Sequence, residues 1–163
     1  YPVQSNLHFT FDGLIQLFDE VPTVKAIKDW CNDPKLHERH IREFQSRPHP
    51  VNVLTTHSSW LMSSLSLGAA GLLSGAGSVI APLQVALFEA IQRDDLAGAR
   101  EINDKLYPFQ QAFYAEPFLD MHNRMKQLLC LKGDIPNAVV RPPLISLSGS
   151  ETNRLEWLSS IRI

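Results

Sequence analysis

Thr23-Val24-Lys25-Ala26-Ile27-Lys28, followed at once by Asp29-Trp30-Cys31-Asn32-Asp33-Pro34, is the stretch whose reading decides the fold. A short run with valine and isoleucine, bounded by a polar segment ending in proline, predicts a buried strand. Strand side chains alternate, so Val24, Ala26 and Lys28 share one face and Lys25 and Ile27 the other. Lys28 therefore stands at the tip of a face that is otherwise small and apolar. Desolvation disfavours an ammonium, and a lysine that gives up its proton there is a nucleophile able to form a Schiff base with a ketone. The same spacing also describes, and more commonly, a strand-end lysine that simply reaches solvent.

Working outward, Thr10 or Asp12 caps a helix running to about Val21, with Phe11, Leu14, Ile15 and Phe18 at helical spacing. Pro34 opens a helix over Lys35 to about Gln45, at the one helical position where proline costs little. Pro48-His49-Pro50 ends it, and Val51-Asn52-Val53-Leu54 predicts a second short strand. Thr55-Thr56-His57-Ser58 forms its exit, and Ser58 or Ser59 caps a helix over Trp60 to Leu67. Gly68 to Ser74 predicts a third strand, and the glycine-rich Gly75-Ala76-Gly77-Ser78 leads into a helix from about Ile80 to Arg93. Short apolar strands alternating with helices indicate βα units and a parallel sheet covered on both sides. After Asp95 the alternation stops: helical patterns over 95–115, 118–132 and 150–161 surround an extended stretch at Val139–Leu147. The expected organisation is an α/β body over 1–94 and a helical extension over 95–163.

Composition narrows the function classes. With 44% hydrophobic and 20% charged residues, the 163-residue chain is of globular and not disordered type. A net charge of −2 with scattered basic residues offers no footprint for nucleic acid or an anionic membrane. Lys35, His37, Arg39, His40 and Arg42 read as a solvated helix face. No run reaches the ~18 uninterrupted apolar residues that span a bilayer. The two cysteines, Cys31 and Cys130, lie far apart without a CxxC spacing, which suggests reduced thiols and a cytoplasmic setting. His37 and His40, three apart on a helix, could hold a metal, but no nearby carboxylate or cysteine completes a shell, so no metal and no cofactor is expected.

Two loops are candidates for binding. Ser74-Gly75-Ala76-Gly77-Ser78 resembles a phosphate cradle but lacks the lysine of a P-loop, so a tight turn at a pocket mouth is the better account. Thr55-Thr56-His57-Ser58 offers hydroxyls and an imidazole at a strand exit. Alone it is as well explained by turn chemistry. In a parallel sheet, however, the exits after Lys28, Leu54 and Ser74 open on one side, where ligands bind.

Ile27-Lys28-Asp29, Gly68-Ala69-Ala70-Gly71-Leu72-Leu73-Ser74, Asp95-Leu96-Ala97-Gly98-Ala99-Arg100-Glu101-Ile102-Asn103, Glu116-Pro117, Lys126 and Val140-Arg141-Pro142-Pro143-Leu144 occur in an order that carries a resemblance. The chain resembles the C-terminal half of the dihydrodipicolinate synthase / N-acetylneuraminate lyase superfamily, over nearly its whole length. The resemblance implies the C-terminal portion of a (β/α)8 barrel, from the end of strand five to helix eight, followed by a helical extension. It implies a 2-oxo acid substrate held as an imine on Lys28, with Thr56, His57 and Ser58 meeting its variable part. Leu73, Ser74 and Gly75 would then lie against the oxo acid. It also implies a homo-oligomer, dimer or tetramer. Aldol cleavage, condensation and sugar-acid dehydration share the imine. A 2-keto-3-deoxy sugar acid is favoured by the hydroxyls of Thr55 to Ser58, with 4-hydroxy-tetrahydrodipicolinate synthesis as the alternative. The family's proton-relaying tyrosine stands three residues before a proline. Tyr1 stands one before Pro2, so that tyrosine is expected two positions upstream, with Tyr1 serving only in a shifted register. A fragment that needs its N-terminal barrel half, and is inactive alone, is expected. A non-catalytic half-barrel with a structural or regulatory role is the competing class.

Overall fold

A computed structural model describes residues 8–161, which divide into two compact units, 8–74 and 75–161. In the first unit, helix α1 (Phe11–Glu20) leads into strand β1 (Ala26–Asp29). Helix α2 (Pro34–Gln45), strand β2 (Asn52–Thr55), a 3-10 turn (Ser58–Trp60), helix α3 (Leu61–Ser66) and strand β3 (Gly71–Leu72) follow. The strands are parallel in the order β1-β2-β3, with Lys28 opposite Leu54 and Leu54 opposite Gly71. Directly opposed residues of neighbouring strands share a face. Ala26, Lys28, Asn52, Leu54 and Gly71 therefore lie on one side, and Ile27, Asp29, Val53 and Thr55 on the other. The second side is the covered one: Asp29, Val53 and Thr55 are buried, whereas Ala26, Lys28 and Asn52 are exposed.

Local chemistry sets the helix ends. Thr10 caps α1 by accepting from Gly13 N at 3.1 Å, as its sequence position predicts. Asp33 accepts from Lys35 N and Leu36 N at 2.9 and 3.3 Å, and Pro34 occupies the first turn of α2. Phe44 of α2 is fully buried, 5.3 Å from Phe11 in a stacked pair and 5.0 Å from Phe18 edge-on, and so clamps α1 to α2. Gln45 joins the layers, accepting from Val53 N at 3.1 Å and donating to Gly68 O at 2.9 Å. Gly68 has φ +102°, a conformation that disfavours a side chain, so the chain can turn there from α3 towards β3.

Three expectations need correction. The third strand covers Gly71–Leu72 and not 68–74, because Gly68 and Ala69 are used in the turn out of α3. Ser58 begins a 3-10 turn whose first residues carry no side-chain cap, and α3 starts only at Leu61. The presumed solvated face of α2 is not solvated at its histidines: His37 is fully buried and His40 is 6% exposed.

The second unit is helical: α4 (Gly77–Gln92), α5 (Leu96–Phe113), a 3-10 turn (Phe118–Asp120), α6 (Met121–Lys132) and α7 (Gly149–Ser159). Asp94 (φ 58°) and the Asp95 cap, accepting from Gly98 N at 2.9 Å, reverse the chain between α4 and α5. Arg124, 2% exposed, pins the unit from inside. It donates to Glu151 Oε1 at 3.0 and 3.1 Å and to the carbonyls of Phe113 and Ala115 at 3.3 and 2.6 Å. Ser148 and Glu151 form a reciprocal capping box at the start of α7. Among the described residues no helix is long and apolar enough to cross a membrane.

Truncating Phe44 removes the ring on which α1 and α2 close. Phe44→Ala is expected to lower stability by about 3–5 kcal/mol in urea unfolding, whereas truncating Trp157, 60% exposed, should change it by less than about 0.5 kcal/mol.

Candidate active site

The alternation of β1 separates two neighbouring charges onto opposite faces. Lys28 takes the open face, beside Leu54, whose Cδ2 stands so near Gly71 that a β-carbon there would meet it at 3.2 Å. The expected drying of Lys28 is not supplied by the described residues, since Lys28 is exposed. A cavity of about 430 Å³ runs along the outer edge of β1, lined by Phe9, Leu14, Leu17, Ile27, Lys28 and Trp30 among others.

Asp29 takes the covered face and is met by α2. Its Oδ2 accepts from Nδ1 of His37 at 2.7 Å and from Nδ1 of His40 at 2.9 Å, and its Oδ1 accepts from Cys31 N at 2.9 Å. Burial alone would raise the Asp29 carboxyl. The hydrogen bonds from the two rings, aided by Coulombic attraction to them, outweigh it and hold the carboxyl well below the usual carboxylate range. The other nitrogen of His37 lies 2.7 Å from Ser64 Oγ on α3, so the chain Asp29–His37–Ser64 ties β1, α2 and α3 together. Sequence reasoning missed this network. Its available signals were a carboxylate one residue beyond the lysine, hence on the opposite face, and an i, i+3 histidine pair on the helix that follows.

The exits of β2 and β3 meet. Thr56 N donates to Asp29 O at 3.2 Å, Leu73 N donates to Thr55 O at 2.9 Å, and the hydroxyls of Ser58 and Ser74 are hydrogen-bonded at 2.6 Å. Thr56 and Ser58 are buried, while Leu73 is 51% exposed. His57 turns away into a cluster of its own. It is 1% exposed, stacks on Trp60 at 4.2 Å, meets the His37 ring edge-on at 4.9 Å and brings Nε2 to 4.0 Å from Cys31 Sγ. Burial, with the neighbouring His37, pushes its pKa down to about 4, Asp29 offsetting part of the shift. Burial, reinforced by the Asp29 charge, pushes the Cys31 thiol up to about 12. Lys28, Thr56, His57, Ser58, Leu73 and Ser74 thus belong to the first unit. Gly75 opens the second, where a β-carbon on it would meet His122 Nε2 at 3.2 Å. Tyr1 lies outside the described residues.

Comparison with known proteins places this geometry. The model of the dihydrodipicolinate synthetase family matches residues 1–161. A 4-hydroxy-tetrahydrodipicolinate synthase of Sulfurimonas denitrificans is 25% identical over 155 residues, 95% of this chain and 50% of that protein. One from Acidobacterium capsulatum is 25% identical over 159 residues, 97% of this chain and 50% of that protein. The chain spans about half the length of the curated relatives it matches. Among solved structures, the dihydrodipicolinate synthases of Aquifex aeolicus and Thermotoga maritima superpose with TM-scores of 0.86 and 0.87 at 21% and 20% identity. Each covers 97% of this chain and 52% of the other. A prophage protein of the same family from E. coli K12, solved in complex with pyruvate, superposes with a TM-score of 0.84 at 23% identity, with the same coverage. The fold is that of the C-terminal portion of a (β/α)8 barrel with C-terminal helices.

Two measurements test the buried layer. Asp29→Ala leaves two ring nitrogens buried without their acceptor and should cost about 3–5 kcal/mol in denaturant unfolding. For His57, the unfolded ring takes up a proton below about 6.5 and the folded ring only near 4. The unfolded state therefore binds more protons between these values, and stability falls as the pH is lowered through that window. In metal-free buffer the loss should reach about 3 kcal/mol relative to His57→Gln, which lacks the titration; parallel pH profiles for the two proteins would contradict it.

Proposed function

The chain belongs to the dihydrodipicolinate synthetase family, and on that footing we propose that in the whole protein Lys28 captures a 2-oxo acid as an imine. The unprotonated Nζ adds to the ketone carbon and, with uptake of one proton, water leaves, giving a protonated imine. That imine takes up the electron pair when a C–C bond at the adjacent carbon breaks, supplies it when such a bond forms, or passes it on when a β-hydroxyl departs as water. The observation that carries this reading is the position of Lys28 at the C-terminal end of a parallel strand, on the side away from the helices, with the Thr56–Ser58 and Ser74 exits beside it. Ligands of parallel α/β folds bind at that end.

The open state of that face fits a partner. Residues forming the other half of the barrel would cover Ala26, Lys28 and Leu73, exclude water and favour the neutral amine. In this reading residues 1–94 belong to the barrel, residues 95–163 form the helical extension, and the chain without its other half is inactive. Homo-oligomerisation, as a dimer or tetramer, and a cytoplasmic setting complete the proposal.

For the substrate, the paired Ser58 and Ser74 hydroxyls, with Thr56 beside them, suit the hydroxyls of a 2-keto-3-deoxy sugar acid. The names of the curated relatives favour 4-hydroxy-tetrahydrodipicolinate synthesis as the second reading. Pyruvate, bound by the prophage relative, serves as the common probe.

Borohydride reduction of the full-length protein with pyruvate should add the reduced three-carbon acid to the peptide containing Lys28, read by mass spectrometry, and Lys28→Ala should abolish it. No adduct, or one on another lysine, would refute the imine. Release of pyruvate or loss of water from a 2-keto-3-deoxy sugar acid supports the first substrate class, and the absence of both in a protein that still traps pyruvate supports the second.

A further inference from the structure

We propose that Asp29, Cys31, His37 and His57 form a binding site for a borderline-soft divalent cation, best matched by zinc. The four come from four places in the first unit: the end of β1, the loop after it, the first turns of α2 and the exit of β2. Each offers one ligand atom, and these atoms all lie within 4.8 Å of one another. Zinc held tetrahedrally by bonds of roughly 2.0–2.3 Å separates its ligand atoms by about 3–4 Å, so adjustments on the order of an ångström close the site. One thiolate, two imidazoles and one carboxylate are donors that zinc accepts.

A second observation points the same way. His57 Nδ1 is buried without a hydrogen-bond partner, although the ring is held by Trp60 and His37. Its other nitrogen, Nε2, lies 4.0 Å from Cys31 Sγ and so faces the cluster. A metal on one nitrogen gives a purpose to a polar ring that the protein otherwise leaves incompletely satisfied.

The surroundings are those of a metal site. Ser64 Oγ holds the far nitrogen of His37 at 2.7 Å, and His40 Nδ1 and Cys31 N orient the Asp29 carboxylate at 2.9 Å each. Such outer partners fix the direction of ligands. Asp29 and Cys31 also line the cavity beside β1, which gives an ion a path inward. On binding, the cation takes the place of the Cys31 thiol proton, which leaves to solvent, while His37 binds through Nδ1 with its one ring proton on Nε2, toward Ser64 Oγ. Four protein donors fill a tetrahedral shell, so the role is structural: the ion fastens the β1 exit, α2 and the β2 exit together directly behind Lys28.

Titration of the chelator-stripped protein with Co2+ tests this. The expected result is one equivalent bound, with a sulfur-to-cobalt charge-transfer band that Zn2+ displaces. The band is lost in Cys31→Ala and kept in Cys130→Ala. Should Cys31→Ala fail to fold, the wild-type protein still answers: Zn2+ should slow alkylation of Cys31 at least tenfold and leave that of Cys130 unchanged. No thiolate band in the wild type, a band that survives in Cys31→Ala, or alkylation of Cys31 indifferent to Zn2+ would each overturn the proposal.

Discussion

A carboxylate removed from water governs the first unit. Asp29 is 5% exposed and accepts hydrogen bonds from two imidazoles on α2 and from the backbone of Cys31. A buried charge is tolerable only when its partners are in place, and removing them costs far more than their net worth. The carboxylate therefore fixes which face of β1 meets the helix. Because neighbouring strand residues point opposite ways, fixing Asp29 inward fixes Lys28 outward. A slip of one residue would bury the ammonium among histidines and expose the carboxylate, so the register is specified by charge as well as by Ile27 and Val53.

The same constraint divides the strand exits into two layers. On the open face stand Lys28, Leu54 and Gly71, with the Ser58–Ser74 hydroxyl pair at the adjoining exits. Behind it, His57 is drawn down to Trp60, His37 and Cys31. A residue grouped by sequence with Thr56 and Ser58 is thus in different surroundings from theirs. Its imidazole is buried and resists protonation, and it shares a cluster with a thiol held neutral by burial and by the Asp29 charge. The lysine and this cluster are chemically distinct sites built back to back on one strand end.

Much of the architecture was legible because it is written locally. Thr10 and Asp33-Pro34 mark helix starts through side-chain and ring geometry that needs no distant partner, and the apolar runs before Asp29 and Thr55 mark strands. The helical extension over 95–163 followed from periodicity, whereas α4, expected from about Ile80, begins at Gly77 and has the non-helical Ile80 (φ −124°, ψ 30°) inside it. What escaped the sequence was non-local. His37 and His40 lie among Lys35, Arg39 and Arg42, which suggested a wet helix face. Their burial is set by Asp29, eight and eleven residues away across a turn. The carboxylate and the cysteine that the sequence did not bring to His37 are Asp29 and Cys31, on the other side of that turn. The surroundings of His57 escaped for the same reason, since Trp60 and His37 claim its ring from above and from the side.

The division of labour between Lys28 and Asp29 is most directly tested by a crystal structure of the full-length protein grown with pyruvate. The account predicts continuous density from Lys28 Nζ to the former ketone carbon, on the face shared with Leu54 and Gly71, with Asp29 on the far side between His37 and His40. Pyruvate seated elsewhere beside an unmodified Lys28, or Lys28 packed beneath the helices, would contradict it.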